Sequence, residues 1–434
     1  MGHCAFFDKW IKNILTRELL RIDADHLIPG DSEPVRDATV IVRGDTIEWV
    51  GPTADAPCIA DGTATFSVPH LMPGLWDCHT HMTGLTSTNL DDVMHLPVAV
   101  AAARSVCDAG RAIQAGVTSV REVGGYGIYL ARVVDEGSIP GPHIYAAGDL
   151  ISPTGGHADL HTYSTGCVAD LGERGGWLHT CDGIPDCLRA VRLQLRRNAM
   201  FIKICASGGV LTTYDNPMHQ QFSDEEMRAI VEEAARAERI VAAHCHGKAG
   251  IMAALRAGAK TIEHGTWLDD ESAQAMKDAG AILVTTRFVK VRMTEHGKRT
   301  GIPDYAYRKL LETAGQHRQA VELAIKAGVT IAAGTDTLTS GDDTALPWGL
   351  HGLELALLVE AGMSPLAAIR AATATAPKTL GLQAPKSGQI VAGYDADLIA
   401  INADPVKDIH ILTGSDNITH VWKGGVLMKS PPNR

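Results

Sequence analysis

From residue 68 onward, short apolar runs alternate with longer stretches whose apolar residues recur at helical spacing. The runs are "VPHLMPGLWDCHTH", "GVTSVREVGG", "PHIYAAGDL", "AMFIKICASGG", "RIVAAHCHG", "AKTIEHGT", "GAILVTTRF" and "GVTIAAGTD". Several follow an Ala-Gly pair, as in "IQAGVTSV", "LRAGAKTI" and "IKAGVTIA", where glycine supplies the positive φ that ends a helix before the next strand. Eight β-then-α units in succession predict an α/β fold of the (β/α)8 TIM-barrel type. A doubly wound open sheet shares the same local pattern. The barrel is favoured because the unusual His, Lys and Asp residues fall at the strands' C-terminal ends, where barrels keep their chemistry.

Beyond this region, "ATVIVRGDTIEWVGP" near the start, and "GQIVAGYDADLIAINAD" with "ITHVWKGGVLMKS" near the end, read as short β runs joined by Gly-containing turns. Two β segments flanking a barrel predict a small β-sandwich assembled from both ends of the chain. The expected boundaries are 1–70 and 381–434 for its two parts and 71–380 for the barrel. A chain of 434 residues exceeds what one hydrophobic core usually serves, which fits one large and one small domain.

Composition narrows the classes of partner. The formal charge of −11, with Lys and Arg scattered apart from helix-face groups such as "RLQLRR", argues against nucleic acid. No apolar run is long enough to span a membrane, so a soluble globular protein is expected. The N-terminal "MGHCAFFDKWIKNILTRELL" is interrupted by Asp8, Lys9 and Lys12 and reads as an extension of the mature chain rather than a leader. Nine cysteines without zinc-finger spacing suggest reduced thiols in a cytoplasm. Cys78, Cys205 and Cys245 lie within expected buried strands. Cys181 and Cys187 are close enough to pair, although the helix-like spacing around them favours packing.

The chemistry begins at "GLWDCHTHMTG", residues 74–84, where an apolar run ends in two histidines one residue apart. On a strand His79 and His81 project from one face, with Thr80 opposite, so both imidazoles can meet one metal. Alone, such a pair is as readily a surface accident or a hydrogen-bonded core pair. The other strand ends add Lys203 in "FIKICASGG", His244 and His246 in "AAHCHG", His264 in "IEHG" and Asp336 in "AAGTD". Burying each of these polar groups unpaired costs on the order of 2 kcal/mol or more. Clustered histidines with a carboxylate suit zinc or a similar borderline-soft divalent cation. Lys203 is the odd member, because an ammonium beside cations is repelled. A buried lysine that loses its proton can add carbon dioxide to form a carbamate able to bridge two ions, while an ordinary lysine paired with a carboxylate is the alternative.

In this order, "HTH", "FIKICASGG", "AHCHG", "EHG" and "GTD" resemble the metal-dependent amidohydrolase superfamily over almost the whole chain. The longer stretches "SPTGGHAD", "KICASGGVLTTYDNPMHQQFSDEE" and "AHCHGKAGIMAALRAGAKTIEHG" look like its imidazolonepropionase and prolidase-like branch, including fungal ochratoxinase-type enzymes. The resemblance implies a binuclear site. His79, His81 and Asp336 would hold the more buried ion, His244 and His264 the more exposed one, and carboxylated Lys203 would bridge two zinc ions. His246 competes with His244; the family pattern selects His244 and leaves His246 beside the substrate. Ala158, and the individual segment "CVADLGERGGWLHTCDG", bear on specificity rather than chemistry. Homo-oligomers are common among such relatives.

The expected reaction is metal-activated hydroxide attack on an amide that releases a C-terminal amino acid from an N-acyl amino acid, a dipeptide or an ochratoxin-like aryl amide. Asp336 would carry the proton. His157 in "PTGGHAD" is expected to hydrogen-bond a substrate carbonyl or carboxylate, or else to fix its own glycine turn. Arg287 in "VTTRFV" is expected to clamp a carboxylate, or else to bridge to a neighbouring loop. Opening of a cyclic amide and a non-catalytic barrel assembly protein are the alternatives that remain.

Overall fold

The protein is described from a computed structural model covering residues 19–431. The stretch 1–18, which holds most of the N-terminal extension read above, lies outside the described residues.

The strands carrying the site are short and pair in parallel. One sheet of four runs Thr337–Thr339, Leu75–Leu85, Val117–Glu122, His143–Ala146. A sheet of seven runs Thr330–Ala332, Ile282–Val284, Thr261–His264, Val241–Cys245, Ile202–Cys205, Leu150–Ser152, Leu178–Thr180. Backbone bonds cross between the two sheets at both ends. Met200 N donates to Ala146 O at 2.9 Å, Cys78 N to Ala333 O at 2.9 Å, and Asp336 N to His79 O at 2.7 Å. The Ala-Gly pattern does what was expected of it, since Gly116, Gly258 and Gly328 have φ of 79°, 101° and 72° just before strands.

Helices fill the intervals and bury one stripe each. In helix Val98–Gln114 the buried positions are Ala101, Ser105, Asp108, Ala109, Ala112 and Ile113, at three- and four-residue spacing. Between strands and helices lies a continuous apolar core that includes Val120, Ile204, Ala243, Ile262 and Leu283. A smaller cluster of Trp76, Cys78, Phe201, Ala242, Val284 and Ala332 packs among the strands themselves. Strand Leu75–Leu85 is buried along its whole length, as a strand covered on both faces must be.

The terminal β segments meet, as expected, in one hydrogen-bonded sheet of seven strands. Strand Ala64–Pro73 sits at its middle, parallel to Leu19–Leu27 on one side and antiparallel to Leu398–Ile401 on the other. The sheet curls over a core of Ile22, Val40, Ile47, Leu71, Leu398 and Trp422. Its far edge closes on itself, with Ile47 N donating to Tyr394 O and Gly393 N to Ile47 O, both at 2.8 Å.

Cys78, Cys205 and Cys245 are buried thiols, and all cysteines among the described residues are free. Cys181 and Cys187 lie with their sulfurs 3.7 Å apart, the first thiol donating to the second. No helix among the described residues is long and apolar enough to cross a membrane.

Candidate metal centre

Seven polar residues picked out at the strand ends, together with His157, line one cavity: His79, His81, Lys203, His244, His246, His264 and Asp336. Two groups have ligand atoms that all lie within 4.8 Å of one another, namely His79, His81 and Asp336, and His244, His246 and His264. A larger surface cavity of about 860 Å3, lined among others by Arg111, Trp348, His410 and Asp416, contains none of these residues.

Each histidine has one ring nitrogen engaged by an oxygen, and the other faces Asp336, a neighbouring ring or the cavity. His79 Nδ1 lies 2.8 Å from Glu263 Oε2, and His81 Nδ1 lies 2.7 Å from Gly124 O. A carbonyl can only accept, so His81 carries a proton on Nδ1, and its Nε2 faces Asp336 Oδ1, 3.3 Å away. His79 Nε2 lies 3.6 Å from the same oxygen. His264 Nδ1 meets Thr286 Oγ1 at 2.8 Å, and His246 Nδ1 meets Thr266 Oγ1 at 2.7 Å. His244 Nε2 donates to Gly208 O at 3.3 Å, and its Nδ1 lies 2.9 Å from His264 Nε2. Two ring nitrogens brought together with their other nitrogens occupied suit a shared cation, and the carboxylate behind His79 and the carbonyls behind His81 and His244 are the support that metal-bound histidines use, with threonine hydroxyls in that place for His246 and His264.

Burial sets the electrostatics. It lowers His79 to about 4, with Lys203 adding to the effect. It also holds His244, His246 and His264 well below the usual imidazole value. The rings are therefore neutral near pH 7, the form that binds metal. Burial would raise Asp336, but His79, His81 and Lys203 outweigh it and keep the carboxylate charged. Lys203 Nζ is buried with no hydrogen-bond partner among the described residues, and burial lowers its pKa. A divalent pair bridged by a lysine carbamate fits this donor set: neutral imidazoles on both sides, one carboxylate, and an amine with nothing else to bond.

Several contributors escaped the sequence reading. Glu263 sits behind His79 and pairs with Arg121. Asp77 accepts from His79 N and Thr335 N, both at 3.0 Å, and from Thr335 Oγ1 at 2.5 Å, tying the first strand to the residue before Asp336. His264, Thr286 and Asp336 have φ of 68°, 52° and 62°, a conformation that β-strand residues avoid. His157 stacks on His244 at 4.4 Å between ring centres and is held by Thr212 Oγ1, 2.8 Å from its Nδ1. Thr212 in turn donates to Asp215, which Lys309 anchors. A Cβ on Gly209 would fall 2.0 Å from the His157 ring, so the close approach needs glycine there.

Arg287 was expected to clamp a substrate carboxylate or else to bridge to a neighbouring loop. It does not line the cavity. Helix Arg287–His296 starts at this residue, whose N–H donates to Glu354 Oε1 at 3.0 Å, and its charged neighbours are Glu354, Arg318, Glu360 and Glu322. The cation that this helix presents to the cavity is Lys290, one turn later. Trp177 and Leu178 reach the cavity from the individual segment, alongside Leu90, Val210, Met293 and Leu310.

Comparison with known proteins agrees with this constellation. The description "Amidohydrolase family" matches residues 70–428. The chain is 44% identical over 427 residues to ochratoxinase of Aspergillus niger, covering 94% of this chain and 86% of that one. It is 25% identical to imidazolonepropionase of Streptomyces coelicolor, covering 92% and 94%. The crystal structure of A. niger ochratoxinase superposes with a TM-score of 0.87 at 43% identity, covering 95% of this chain and 96% of that one. A prolidase complexed with N-methylphosphonate-L-proline superposes with a TM-score of 0.87 at 29% identity, covering 95% and 100%.

Proposed function

The chain belongs to the amidohydrolase family, a hydrolase of amide bonds, and from that premise we propose that it releases a C-terminal amino acid from an N-acyl amino acid, a dipeptide or an ochratoxin-like aryl amide at a binuclear zinc site. The buried, partnerless Nζ of Lys203 between two sets of histidines is the observation that supports this reading most directly. In it, His79, His81 and Asp336 would hold one cation and His244 and His264 the other, with Lys203, once carboxylated, serving both and His246 beside the second. We assign the strands to one closed (β/α)8 barrel over 71–380, with a β-sandwich built from the described residues before 71 and after 380.

When bound, two divalent cations lower the pKa of a shared water and polarise the scissile carbonyl. Asp336 takes the proton of the attacking water and returns it to the leaving nitrogen, so that the amine departs neutral. His157, held by Thr212, offers its remaining nitrogen to a substrate oxygen. Glu263 and Gly124 keep His79 and His81 in the required tautomer. Trp177 and the leucines around it exclude bulk water.

The test is elemental analysis of protein purified without chelator, beside Lys203→Ala, with release of phenylalanine or proline from N-acyl probes followed in parallel. About two zinc per chain, falling clearly in the variant, with free amino acid released, is the expected result. One metal per chain unchanged in Lys203→Ala would overturn the bridged pair. Turnover of ring amides alone would shift the reading to cyclic-amide opening.

A further inference from the structure

One stretch of the cavity wall is apolar but carries a cation. Val289, Lys290 and Met293 of helix Arg287–His296 and Leu310 of helix Asp304–Ala327 all line the cavity. Lys290 is only 3% exposed. An ammonium has three N–H donors, and among the described residues that of Lys290 uses one, on Thr313 Oγ1 at 3.2 Å, with no carboxylate in ion-pair contact. Burial lowers it to about 8, and Asp336 is the anion whose field favours its charge. It therefore remains largely protonated at neutral pH. Enclosing a charge with two unused donors among aliphatic side chains is costly unless an anion completes it.

The other basic groups at the site cannot serve an anionic substrate equally well. Lys203 is surrounded by the proposed metal ligands. His157 has its Nδ1 engaged by Thr212 Oγ1 at 2.8 Å and its ring face stacked on His244. Arg287 lies off the cavity.

We propose that Lys290 receives the α-carboxylate of the substrate, and that Val289, Met293 and Leu310 take an apolar side chain on the same amino acid. The preferred substrates are then amides whose leaving half is a free apolar amino acid. Carboxylate oxygens complete the two N–H donors that Thr313 leaves over, at the charge-assisted strength of an N+–H···O− bond. N-methylphosphonate-L-proline, bound by a prolidase that superposes on this chain, contains an amino acid of that kind, proline, on its phosphonyl group. The inference rests on the amide-hydrolysis reading.

The experiment compares N-acetyl-L-phenylalanine with N-acetyl-L-phenylalaninamide on the metal-loaded enzyme, following release of phenylalanine or phenylalaninamide. Wild type is expected to prefer the acid by about 100-fold in kcat/KM, and Lys290→Met to abolish that preference, mainly through KM of the acid. Lys290→Gln, which keeps a donor for Thr313, repeats the measurement should the methionine variant fold poorly. A preference for the acid that survives in both variants, or none in wild type, overturns the assignment. If wild type cleaves neither compound, the amide reading itself fails. Calorimetric titration with the product L-phenylalanine then decides the role of Lys290 separately, since equal affinity in wild type and variant removes the carboxylate site and a clear loss keeps it.

Discussion

Arg121 and Lys203 are two cations buried within the same set of strands, and their surroundings differ completely. Arg121 donates from Nε to Cys78 O at 2.7 Å, from one terminal nitrogen to Thr261 Oγ1 at 3.1 Å and Thr379 O at 3.3 Å, and from the other to Glu263. Its guanidinium also lies over the Phe201 ring, 4.9 Å from the centroid. Lys203, equally buried, bonds to nothing among the described residues. A buried charge whose three nitrogens are all bonded belongs to the architecture. One left bare has a residue type that packing does not account for, and that is where chemistry is to be sought.

The contrast predicts that variants at the histidine-lined cavity lose turnover and keep the fold, whereas variants around Arg121 lose the fold. The largest effect is expected at Asp336. Asp336→Asn should cut kcat by about a thousandfold or more while retaining most of the metal and the wild-type urea midpoint. Near wild-type turnover would remove Asp336 as the proton carrier, and a collapse in stability would erase the distinction between the two regions.

Glu263→Gln comes next. It leaves the Arg121 charge uncompensated in the interior, and the loss expected from urea unfolding is about 3–4 kcal/mol. A loss below about 1 kcal/mol would mean that the carbonyl and hydroxyl acceptors of Arg121 suffice without the carboxylate.

Glu354 sharpens the comparison from a third position, since it is a buried acid with good partners that still resists ionisation. It accepts from Thr285 Oγ1 at 2.5 Å, Arg287 N at 3.0 Å and Phe288 N at 2.6 Å, closing the N-terminus of the helix that carries Lys290. Burial nonetheless raises it from 4.5 to about 7. Between those values the folded protein holds a proton that the unfolded chain has released, so stability falls as pH rises from about 4.5 to 7. Across this window the stability of wild type from urea unfolding should fall by about 1–3 kcal/mol relative to that of Glu354→Gln. Parallel profiles for the two proteins would contradict the raised value.

The strand-end histidines were legible because a period of two and an interruption of apolar runs are both written in the residues. His79 with His81, and His244 with His246, obey that alternation. Glu263 was missed for the opposite reason, since strict alternation assigns it the face away from His264. The left-handed turn at His264 breaks the period, and both side chains reach the interior. Lys290 was not singled out because the rotation of a helix after a positive-φ residue such as Thr286 is not encoded in any spacing. The ends of the chain were expected to meet, but nothing in their composition showed that strand Ala64–Pro73 would be the shared member of their sheet.

That shared strand has a consequence for how the protein is made. Strand Ala64–Pro73 leaves the ribosome early, yet one of its edges pairs with Leu398–Ile401, near the other end of the chain. While the intervening residues are synthesised, that edge carries unpaired N–H and C=O groups beside Leu71 and Met72, which are fully buried once the sheet closes. Such an edge is a template for pairing with another nascent chain. The cell therefore has a longer interval of exposure to manage at this strand than at inner strands such as Val241–Cys245, whose partners lie within about a few tens of residues.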